Sequence, residues 1–251
     1  MLKQIPENYQ PNHDLLKGRT ILITGASDGI GEAAARSYAA FGATVILLGR
    51  SVKKLEKVYD QIVEAGHPQP AIYPMDLEGA QSSDYYDLAN TIDQEFSALD
   101  GLLHNAARLD TLMPLEQYDL KLWARLMQIN LNAPFLLTHA CLPLLRKSAD
   151  ASVMFTSSRV AHHGRAYWGA YGVSKAACDN LMQILADEVE NNTNIRANSI
   201  DPGAVRTRLR RQAYPGEDAS LLPEPEEIMP AYLYLMGPDS RQYTGEIFSV
   251  Q

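Results

Sequence analysis

Short, continuous apolar runs alternate with longer stretches of helical periodicity along the chain. Residues 19–24 (RTILIT) and 44–49 (TVILLG) are two such runs, and an Ala-rich helical pattern over residues 30–41 lies between them. Strands without polar alternation are typical of sheets that are covered on both faces. Because parallel strands need a crossover connection, usually a helix, this alternation predicts βαβ units and a parallel sheet.

The rest of the chain continues the alternation. After the second strand a helix is predicted over residues 51–65, with Ser51 as its cap. Further strands are predicted at residues 71–75, 99–103, 151–156, 194–200 and 247–250, and further helices at 82–97, 115–145 (bent or ended by Pro134 and Pro143), 169–190 and 228–236. Right-handed crossovers then predict an α/β, doubly wound Rossmann fold with a seven-stranded, mainly parallel sheet, in a single domain over residues 1–251.

Composition narrows the class of partner. The 251 residues include 22 Lys and Arg against 30 Asp and Glu, and the resulting net charge of −8 does not favour nucleic-acid binding, which requires a basic face. No run reaches the roughly 18 apolar residues of a spanning helix, and the N-terminus lacks a signal-peptide stretch, so we expect a cytoplasmic protein without membrane contact. With only Cys141 and Cys178, and no metal-site spacing, neither a disulfide framework nor a metal is expected.

A glycine-rich turn joins the first predicted strand to its helix. Residues 24–31 read TGASDGIG, which is a G-x3-G-x-G spacing. A pyrophosphate can approach the backbone only where no Cβ obstructs it, and the following helix N-terminus offers free N–H groups and the positive end of a dipole. The turn therefore predicts a dinucleotide site, although a purely structural turn would have the same sequence.

The residues after the second strand bear on which dinucleotide binds. An acidic side chain at this point hydrogen-bonds the ribose 2′-OH of NAD, whereas an arginine accommodates the 2′-phosphate of NADP. The sequence here is Gly49-Arg50-Ser51, without an acid. Because a guanidinium pairs bidentately with phosphate and stacks on adenine, Arg50 favours NADP(H) over NAD(H), unless it merely ends the strand.

Tyr171 and Lys175 lie four residues apart at the start of the longest predicted helix. Positions i and i+4 share one helix face, and a nearby cation is expected to lower the pKa of a phenol from about 10. Such a tyrosine can exchange a proton with a carbonyl oxygen. Residues 156–158 (Thr-Ser-Ser) follow a strand, where functional groups of open α/β sheets gather, and Asn130 interrupts a helical pattern. The structural alternatives are a solvated helix face, a turn and a bend near Pro134.

Together these motifs resemble the short-chain dehydrogenase/reductase family over nearly the whole chain. The family's TGxxxGIG pattern appears at residues 24–31, its acid after the third strand as Asp76, its NNAG element at residues 104–107 and its PG segment at residues 201–207. The spacing to Tyr171 selects Ser158 over its neighbour as the family's serine. Residues 11–31 and 228–241 further resemble one bacterial subgroup of the family.

The resemblance implies an NADP(H)-dependent oxidoreductase that transfers a hydride between nicotinamide and a carbonyl or hydroxyl group of a small molecule. In the implied roles, Tyr171 is the acid or base and Ser158 orients the substrate oxygen. Lys175 lowers the pKa of Tyr171 and binds the nicotinamide ribose, and Asn130 holds a water that links Lys175 to solvent. The implied cofactor-binding residues are Gly25, Ser27, Asp28, Gly29, Ile30, Gly31, Arg50, Asp76, Leu77, Asn105, Ala106, Tyr171, Lys175, Pro202, Gly203, Val205 and Thr207.

Two positions depart from the family pattern. Ala107 replaces the last glycine of the NNAG element, which predicts a different local turn. Asp28 stands where many NADP-preferring relatives carry a basic residue. Arg50 is therefore expected to be the main phosphate anchor.

The substrate is expected beneath a loop over residues 206–225, which lacks periodicity and is the best candidate for a mobile segment. Arginines 206, 208, 210 and 211 would either bind an anionic substrate or form a solvated basic face. Tyr167 and Trp168 would either favour an apolar or ring-bearing substrate or pack within their own loop. His104, just past a strand, is expected to be structural rather than a metal ligand.

Two classes of function remain open. One is a reductase of a carbonyl group, including a 3-oxoacyl group; the other is a catalytically silent, cofactor-binding regulatory or interaction protein, which would have no reason to retain the four catalytic residues. The resemblance also implies a homodimer or homotetramer, with contacts through the long helix and the last strand. Leu181, Ile184 and Leu185 fit either such a contact or burial against the protein's own sheet.

Overall fold

Eight parallel strands form the central sheet of the computed structural model, which describes residues 2–250. The strands are β1 Lys3–Gln4, β2 Thr20–Thr24, β3 Thr44–Gly49, β4 Ala71–Pro74, β5 Gly101–His104, β6 Ala151–Thr156, β7 Ile195–Asp201 and β8 Ile247–Ser249. The helices are α1 Gly29–Ala40, α2 Val52–Glu64, α3 Ser82–Phe96, α4 Leu120–Met127, α5 Ala133–Leu145, α6 Arg159–His162, α7 Gly169–Glu190, α8 Arg208–Ala213 and α9 Met229–Met236. Short 3₁₀ turns lie at Leu115–Gln117, Ala219–Leu221, Pro225–Ile228 and Pro238–Ser240.

The strand order is β1-β8-β7-β6-β5-β2-β3-β4. The chain adds strands on one side of β2 and then, from β5 onward, on the other side, so the order of strand addition reverses between β2 and β5. The doubly wound Rossmann architecture is therefore confirmed, but the predicted count of seven strands is wrong. The additional strand is β1, which pairs in parallel with β8, with Lys3 opposite Phe248. Two residues are too short to carry a periodic signal. Every strand pairing among the described residues is parallel, in agreement with the predicted mainly parallel sheet.

Burial on both faces explains the continuous apolar runs. Along β2, Leu22 packs into the layer formed with α3, α5 and α7, whereas Ile21 and Ile23 pack into the layer formed with α1, α2 and α9. Successive side chains of a strand point to opposite faces, so both must be apolar when both faces are covered.

The segment between β5 and β6 differs in detail from the prediction. Residues 115–145 form two helices, and a π-helical turn at Gln128–Asn132 connects them. Pro134 lies in the first turn of α5, but Pro143 lies inside α5, close to its end, rather than ending it. Ser51 takes the N-cap position of α2 without a side-chain capping hydrogen bond.

A charged cluster closes the amino-terminal edge of the sheet, opposite the strand ends discussed below. Arg19 donates to the Asp150 carboxylate at 2.8 Å, Arg196 pairs with the same carboxylate, and Arg241 lies 3.3 Å away. Burial raises the pKa of Asp150, but Arg196 and Arg19 outweigh it and hold that pKa below its usual value. The chain before β2, the start of β7 at Arg196 and the segment before β8 are thereby tied to one buried carboxylate.

Replacement of Asp150 by asparagine should destabilise the fold by about 3–5 kcal/mol, because the buried arginines lose their counter-charge. The measurement is the free energy of unfolding in urea. Since the folded-state pKa of Asp150 is lowered, its contribution is present above the unfolded pKa and is lost as pH falls through the folded pKa. The matched control is Asp93→Asn, whose half-exposed pair with Lys147 should contribute less than about 1 kcal/mol. Equal losses for both variants would contradict this account.

Candidate active site

Six neighbouring strand ends, those of β7, β6, β5, β2, β3 and β4, border a cleft of about 600 Å³ at the carboxyl edge of the sheet. The hydroxyl of Thr24, at the end of β2, accepts hydrogen bonds from the backbone N–H groups of Asn105 and Ala106, both at 3.0 Å. The side chain of Asn105 in turn contacts the Thr24 carbonyl at 3.4 Å and the Thr156 hydroxyl at 3.5 Å. These bonds hold together the ends of β2, β5 and β6, where the strand order reverses.

The glycine turn before α1 adopts a conformation that only glycine tolerates well. Gly25 and Gly29 have φ values of 68° and 54°, in the left-handed region. A Cβ on Gly31 would lie 2.2 Å from the Gly25 carbonyl oxygen, so α1 can begin this close to the turn only with glycine there. A Cβ on Gly29 would meet the Thr207 methyl group at 3.3 Å, so the chain after β7 lies directly over the turn.

The structure brings nearly all of the predicted cofactor residues to this cleft. Gly31 lies behind the turn rather than in the lining. The lining includes Gly25, Ser27, Asp28, Gly29, Ile30, Arg50, Asp76, Leu77, Asn105, Ala106, Tyr171, Lys175, Pro202, Gly203, Val205 and Thr207. Exposed N–H groups at a helix start, beside a groove with cations at one end, fit the chemistry of a dinucleotide phosphate. The residues present therefore fit a nicotinamide dinucleotide.

A second cation lies beside Arg50. Lys54, in the first turn of α2, lines the cleft together with Arg50 and Ser51, and its ammonium is 3.1 Å from the Asp28 carboxylate. Sequence reasoning missed Lys54, although its position four residues after Arg50 would have indicated it. Asp28 thus offsets part of the positive charge at this end of the cleft.

Tyr171 and Lys175 are both buried in the same cleft, with 6% and 4% of their surfaces exposed. The Lys175 ammonium donates to the Thr156 carbonyl oxygen at 2.6 Å and lies 5.8 Å from the centre of the Tyr171 ring. The hydroxyls of Ser158 and Tyr171 are hydrogen-bonded to each other. The chain just after β6 and the first turns of α7 therefore bring together the Tyr171 phenol, the Ser158 hydroxyl and the Lys175 ammonium.

Burial controls the protonation of this group. It raises the pKa of Tyr171 to about 12, opposed by the Ser158 hydrogen bond and assisted by Asp201. It also lowers the pKa of Lys175. The expectation that the lysine brings the Tyr171 pKa below its ordinary value is wrong for this structure. Tyr171 consequently carries its proton at neutral pH.

Asn130 lies in the π-helical turn and is 1% exposed, behind the cleft rather than in its lining. Its side-chain oxygen accepts from the Arg108 backbone N–H at 2.8 Å, and its amide donates to the Arg108 carbonyl at 2.9 Å and to Ser174 at 3.1 Å. The Cys178 thiol donates to the Asn130 carbonyl. Asn130 therefore ties the segment after β5 to α7, and the π-helical turn that presents it was not predicted.

The outer half of the cleft is apolar and aromatic. Leu109, Trp168, Tyr171 and Ala213 form one buried cluster, against which Tyr214 packs. Sequence reasoning identified Trp168 but not Leu109 or Tyr214, because these come from loops that only the fold brings together.

Residues 206–225 are not a featureless loop, since they include α8 and a 3₁₀ turn. Arg206 pairs with Glu224, and Arg210 donates to Glu217 at 2.7 and 2.6 Å. The segment contacts the body of the protein where Gln212 donates to the Asp110 carbonyl at 3.0 Å. Two of the four arginines are therefore neutralised inside the segment.

Arg208, Arg211 and the Tyr214 ring lie at the cleft or beside it. Arg208 lines the cleft, and Arg211 lines an adjoining depression. The Tyr214 hydroxyl accepts from Arg165 at 2.6 Å, and its ring centre is 5.9 Å from that of Trp168.

Two further predictions concern His104 and Ala107. His104 is buried, hydrogen-bonds Thr138 at 2.8 Å, and has a pKa lowered to about 3 by burial and by Lys175, as a structural histidine would. Ala107 does not adopt the left-handed conformation, so the alanine introduces no backbone strain.

Residues 19–218 match the family described as short chain dehydrogenase. The chain belongs to this family and is an oxidoreductase. It is 49% identical to the uncharacterized oxidoreductase YciK of Escherichia coli (strain K12), across 97% of this chain and 96% of that relative. The resemblance to that bacterial subgroup is thereby confirmed.

Solved structures agree. A short chain dehydrogenase from Pseudomonas syringae is 55% identical and superposes with a TM-score of 0.96, covering 97% of this chain and 99% of that one. One from Shigella flexneri, solved in complex with NADP, is 49% identical with a TM-score of 0.92, covering 95% and 99%. Within residues 2–250, no helix has the length and apolar character needed to traverse a bilayer.

Proposed function

We propose that the protein interconverts a carbonyl and a hydroxyl group of a small molecule with NADP(H), using Asn130, Ser158, Tyr171 and Lys175. The observation that carries the proposal is a buried Tyr171, hydrogen-bonded to Ser158 and beside Lys175, in the cleft that the glycine turn borders. When bound, the nicotinamide supplies or accepts the hydride. A protein that only binds nucleotide has no use for a desolvated phenol in this place.

The protein's own groups handle the proton. Tyr171, whose pKa is raised to about 12, holds a proton at neutral pH that it can donate to a carbonyl oxygen in the direction of reduction. Ser158 orients that oxygen through its hydroxyl. Lys175, held by the Thr156 carbonyl, is placed to hydrogen-bond a ribose and to carry positive charge as the phenol loses its proton. Asn130 keeps α7 at a fixed distance from the segment after β5, and its contact with a water remains a prediction.

Replacement of Tyr171 by phenylalanine should lower kcat for ketone reduction by about 10²–10⁴-fold, because the proton donor is removed. NADPH affinity, measured by nucleotide fluorescence, should stay within about twofold, since only the hydroxyl is lost. Tyr167→Phe is the control, because Tyr167 is exposed and outside the cleft lining. Undiminished turnover in Tyr171→Phe would overturn the acid/base assignment. NADPH binding with no turnover of any carbonyl substrate would favour the silent, regulatory alternative.

We propose further that NADP(H) is preferred over NAD(H). Arg50 and Lys54 supply two cations near the end of β3, where an NAD-binding site would carry an acid. Related short chain dehydrogenases from Shigella flexneri and Escherichia coli CFT073 were solved in complex with NADP and NADPH. The ion pair of Lys54 with Asp28 weakens the preference without reversing it, because Arg50 remains available.

Arg50→Asp should lower kcat/KM for NADPH by about tenfold to a hundredfold, because a charge-assisted contact is replaced by repulsion, and should improve the use of NADH. Asp28→Asn should raise affinity for NADPH, since Lys54 loses its competing partner. The two cofactors are compared by initial rates at 340 nm. Lys53→Asp, an exposed neighbour outside the cleft lining, is the matched control. An unchanged NADPH to NADH ratio in Arg50→Asp would refute the preference.

The substrate half of the cleft supports an uncharged, apolar or ring-bearing substrate. Its walls include Leu109, Trp168 and Tyr214, and two of the arginines that line it, Arg108 and Arg210, already have carboxylate partners. Arg210 pairs with Glu217, and Arg108 pairs with Asp110 at 2.5 Å and with Glu78 at 3.3 Å. An anion bound at Arg108 or Arg210 would have to displace these partners, whereas an apolar ring would gain contact area against the aromatic walls.

Trp168→Ala should raise KM for a cyclic apolar ketone by about tenfold, because a large contact surface is lost, and should change KM little for a short open-chain ketone. The check is a panel of cyclic ketones, short open-chain ketones and 3-oxoacyl thioesters with NADPH, with Tyr167→Ala as the control. A higher kcat/KM for the acyl thioester than for the cyclic ketones would instead support a 3-oxoacyl reductase.

We also propose a homodimer or homotetramer that contacts through α7. Ile184 and Val173 are about half exposed on that helix, at 49% and 47%, whereas Leu185 is buried against the protein's own sheet. Of the two alternatives that the sequence left open, a subunit contact fits the exposed Ile184, and burial against the protein's own sheet fits Leu185. The single-domain bounds of 1–251, the role of residues 206–225 as a substrate loop and the cytoplasmic location remain predictions.

A further inference from the structure

Asp179 is a buried carboxylate that the proposed proton transfer does not use. It lies on α7 one turn beyond Lys175 and two turns beyond Tyr171, so the three side chains share one stripe of the helix. Only 5% of its surface is exposed. Burying a carboxylate is costly unless it is hydrogen-bonded, so we expect Asp179 to have a specific partner and a role.

Its principal partner is Ser157, whose hydroxyl donates to the Asp179 carboxylate at 2.6 Å. The ring of His162, on α6, lies 3.6 Å from the same carboxylate oxygen. Burial raises the pKa of Asp179, whereas Ser157, His162 and Lys175 lower it. Ser199 lowers this pKa as well. Both close contacts, from Ser157 and His162, are to one oxygen, Oδ2, whereas Oδ1 has no hydrogen-bond partner among residues 2–250.

Ser157 lies between two residues that contact the proposed catalytic groups. The residue before it, Thr156, offers the carbonyl that holds Lys175, and the residue after it, Ser158, hydrogen-bonds Tyr171. The Ser157 backbone N–H donates to the Ile200 carbonyl of β7 at 2.8 Å. The segment after β6 is thus fixed by β7 on one side and by Asp179 on the other.

We infer that Asp179 is a positioning residue, which accepts the Ser157 hydrogen bond and thereby fixes the Thr156 carbonyl and the Ser158 hydroxyl relative to α7. The inference rests on the proposed function, because Lys175 and Ser158 matter only if this cleft is catalytic. It assigns a task to a side chain that does not line the cleft. A displacement of Ser158 by a fraction of an ångström would move its hydroxyl relative to the substrate oxygen that we propose it orients.

The kinetic test compares Asp179→Ala, Ser157→Ala and the double variant with the wild type, using a ketone that the wild type reduces. We expect kcat to fall by about tenfold or more in each single variant, with the NADPH dissociation constant nearly unchanged, because positioning errors act on the chemical step. The double variant should be no worse than either single one, since both remove the same contact. Asp179→Asn retains an acceptor oxygen and should recover most of kcat.

Asp187→Ala is the matched control, because Asp187 lies two turns further along α7 and is exposed. A merely structural role for Asp179 would lower the melting temperature and leave kcat of the folded enzyme unchanged, which would overturn the inference. Losses that multiply in the double variant would overturn it as well. An Asp179→Asn variant as slow as Asp179→Ala would show that charge, not the hydrogen bond to Ser157, is what matters.

A crystal structure of Asp179→Ala gives a readout that does not depend on turnover. Displacement of the Ser158 hydroxyl out of hydrogen-bond distance from the Tyr171 hydroxyl supports the inference, and an unmoved Ser158 overturns it. If the wild type binds NADPH but reduces no carbonyl compound, the proposed function fails while this structural result still decides the positioning role. Ser157→Ala serves the same purpose should Asp179→Ala not fold.

Discussion

A buried ammonium group ties the reacting end of this fold together. Lys175 has 4% of its surface exposed, and its ammonium is satisfied by the Thr156 carbonyl at 2.6 Å. A buried cation without such a partner costs several kcal/mol, so the end of β6 and the start of α7 must keep their relative position. Because Tyr171 and Asp179 share its helix face, the same constraint sets where the phenol and the serine segment lie.

Sequence patterns predicted the regular elements and the assembly of the site for physical reasons. Strands β3 and β6 and helix α7 are long and strongly patterned, and their predicted bounds agree with the structure. Most of the candidate cofactor residues come together because they follow parallel strands, and parallel strands end at one edge, whereas Tyr171 and Lys175 are brought there by α7. β1 escaped prediction because two residues carry no period. Tyr214 escaped because its contact with Trp168 joins segments far apart in the chain.

Spacing predicts adjacency, but protonation depends on burial, which no local pattern encodes. The i and i+4 positions of Tyr171 and Lys175 correctly place the two side chains near each other. The lysine hydrogen-bonds a backbone carbonyl, however, and its ammonium is 5.8 Å from the phenol ring centre. Desolvation therefore dominates and moves both pKa values against the charged forms. The protonation state of the phenol is thus a property of the packing.

Residues 206–225, several of which line the cleft, hold two ion pairs within the segment. Arg206 and Arg210 pair with Glu224 and Glu217, and one contact that reaches across the mouth is the neutral hydrogen bond between Gln212 and Asp110. Arg165 also donates to the Tyr214 hydroxyl and Tyr214 packs against Trp168, so detaching the segment would break several contacts with the body of the protein while leaving its internal ion pairs in place. Any opening of the segment would then resemble the movement of a preassembled unit rather than local unfolding.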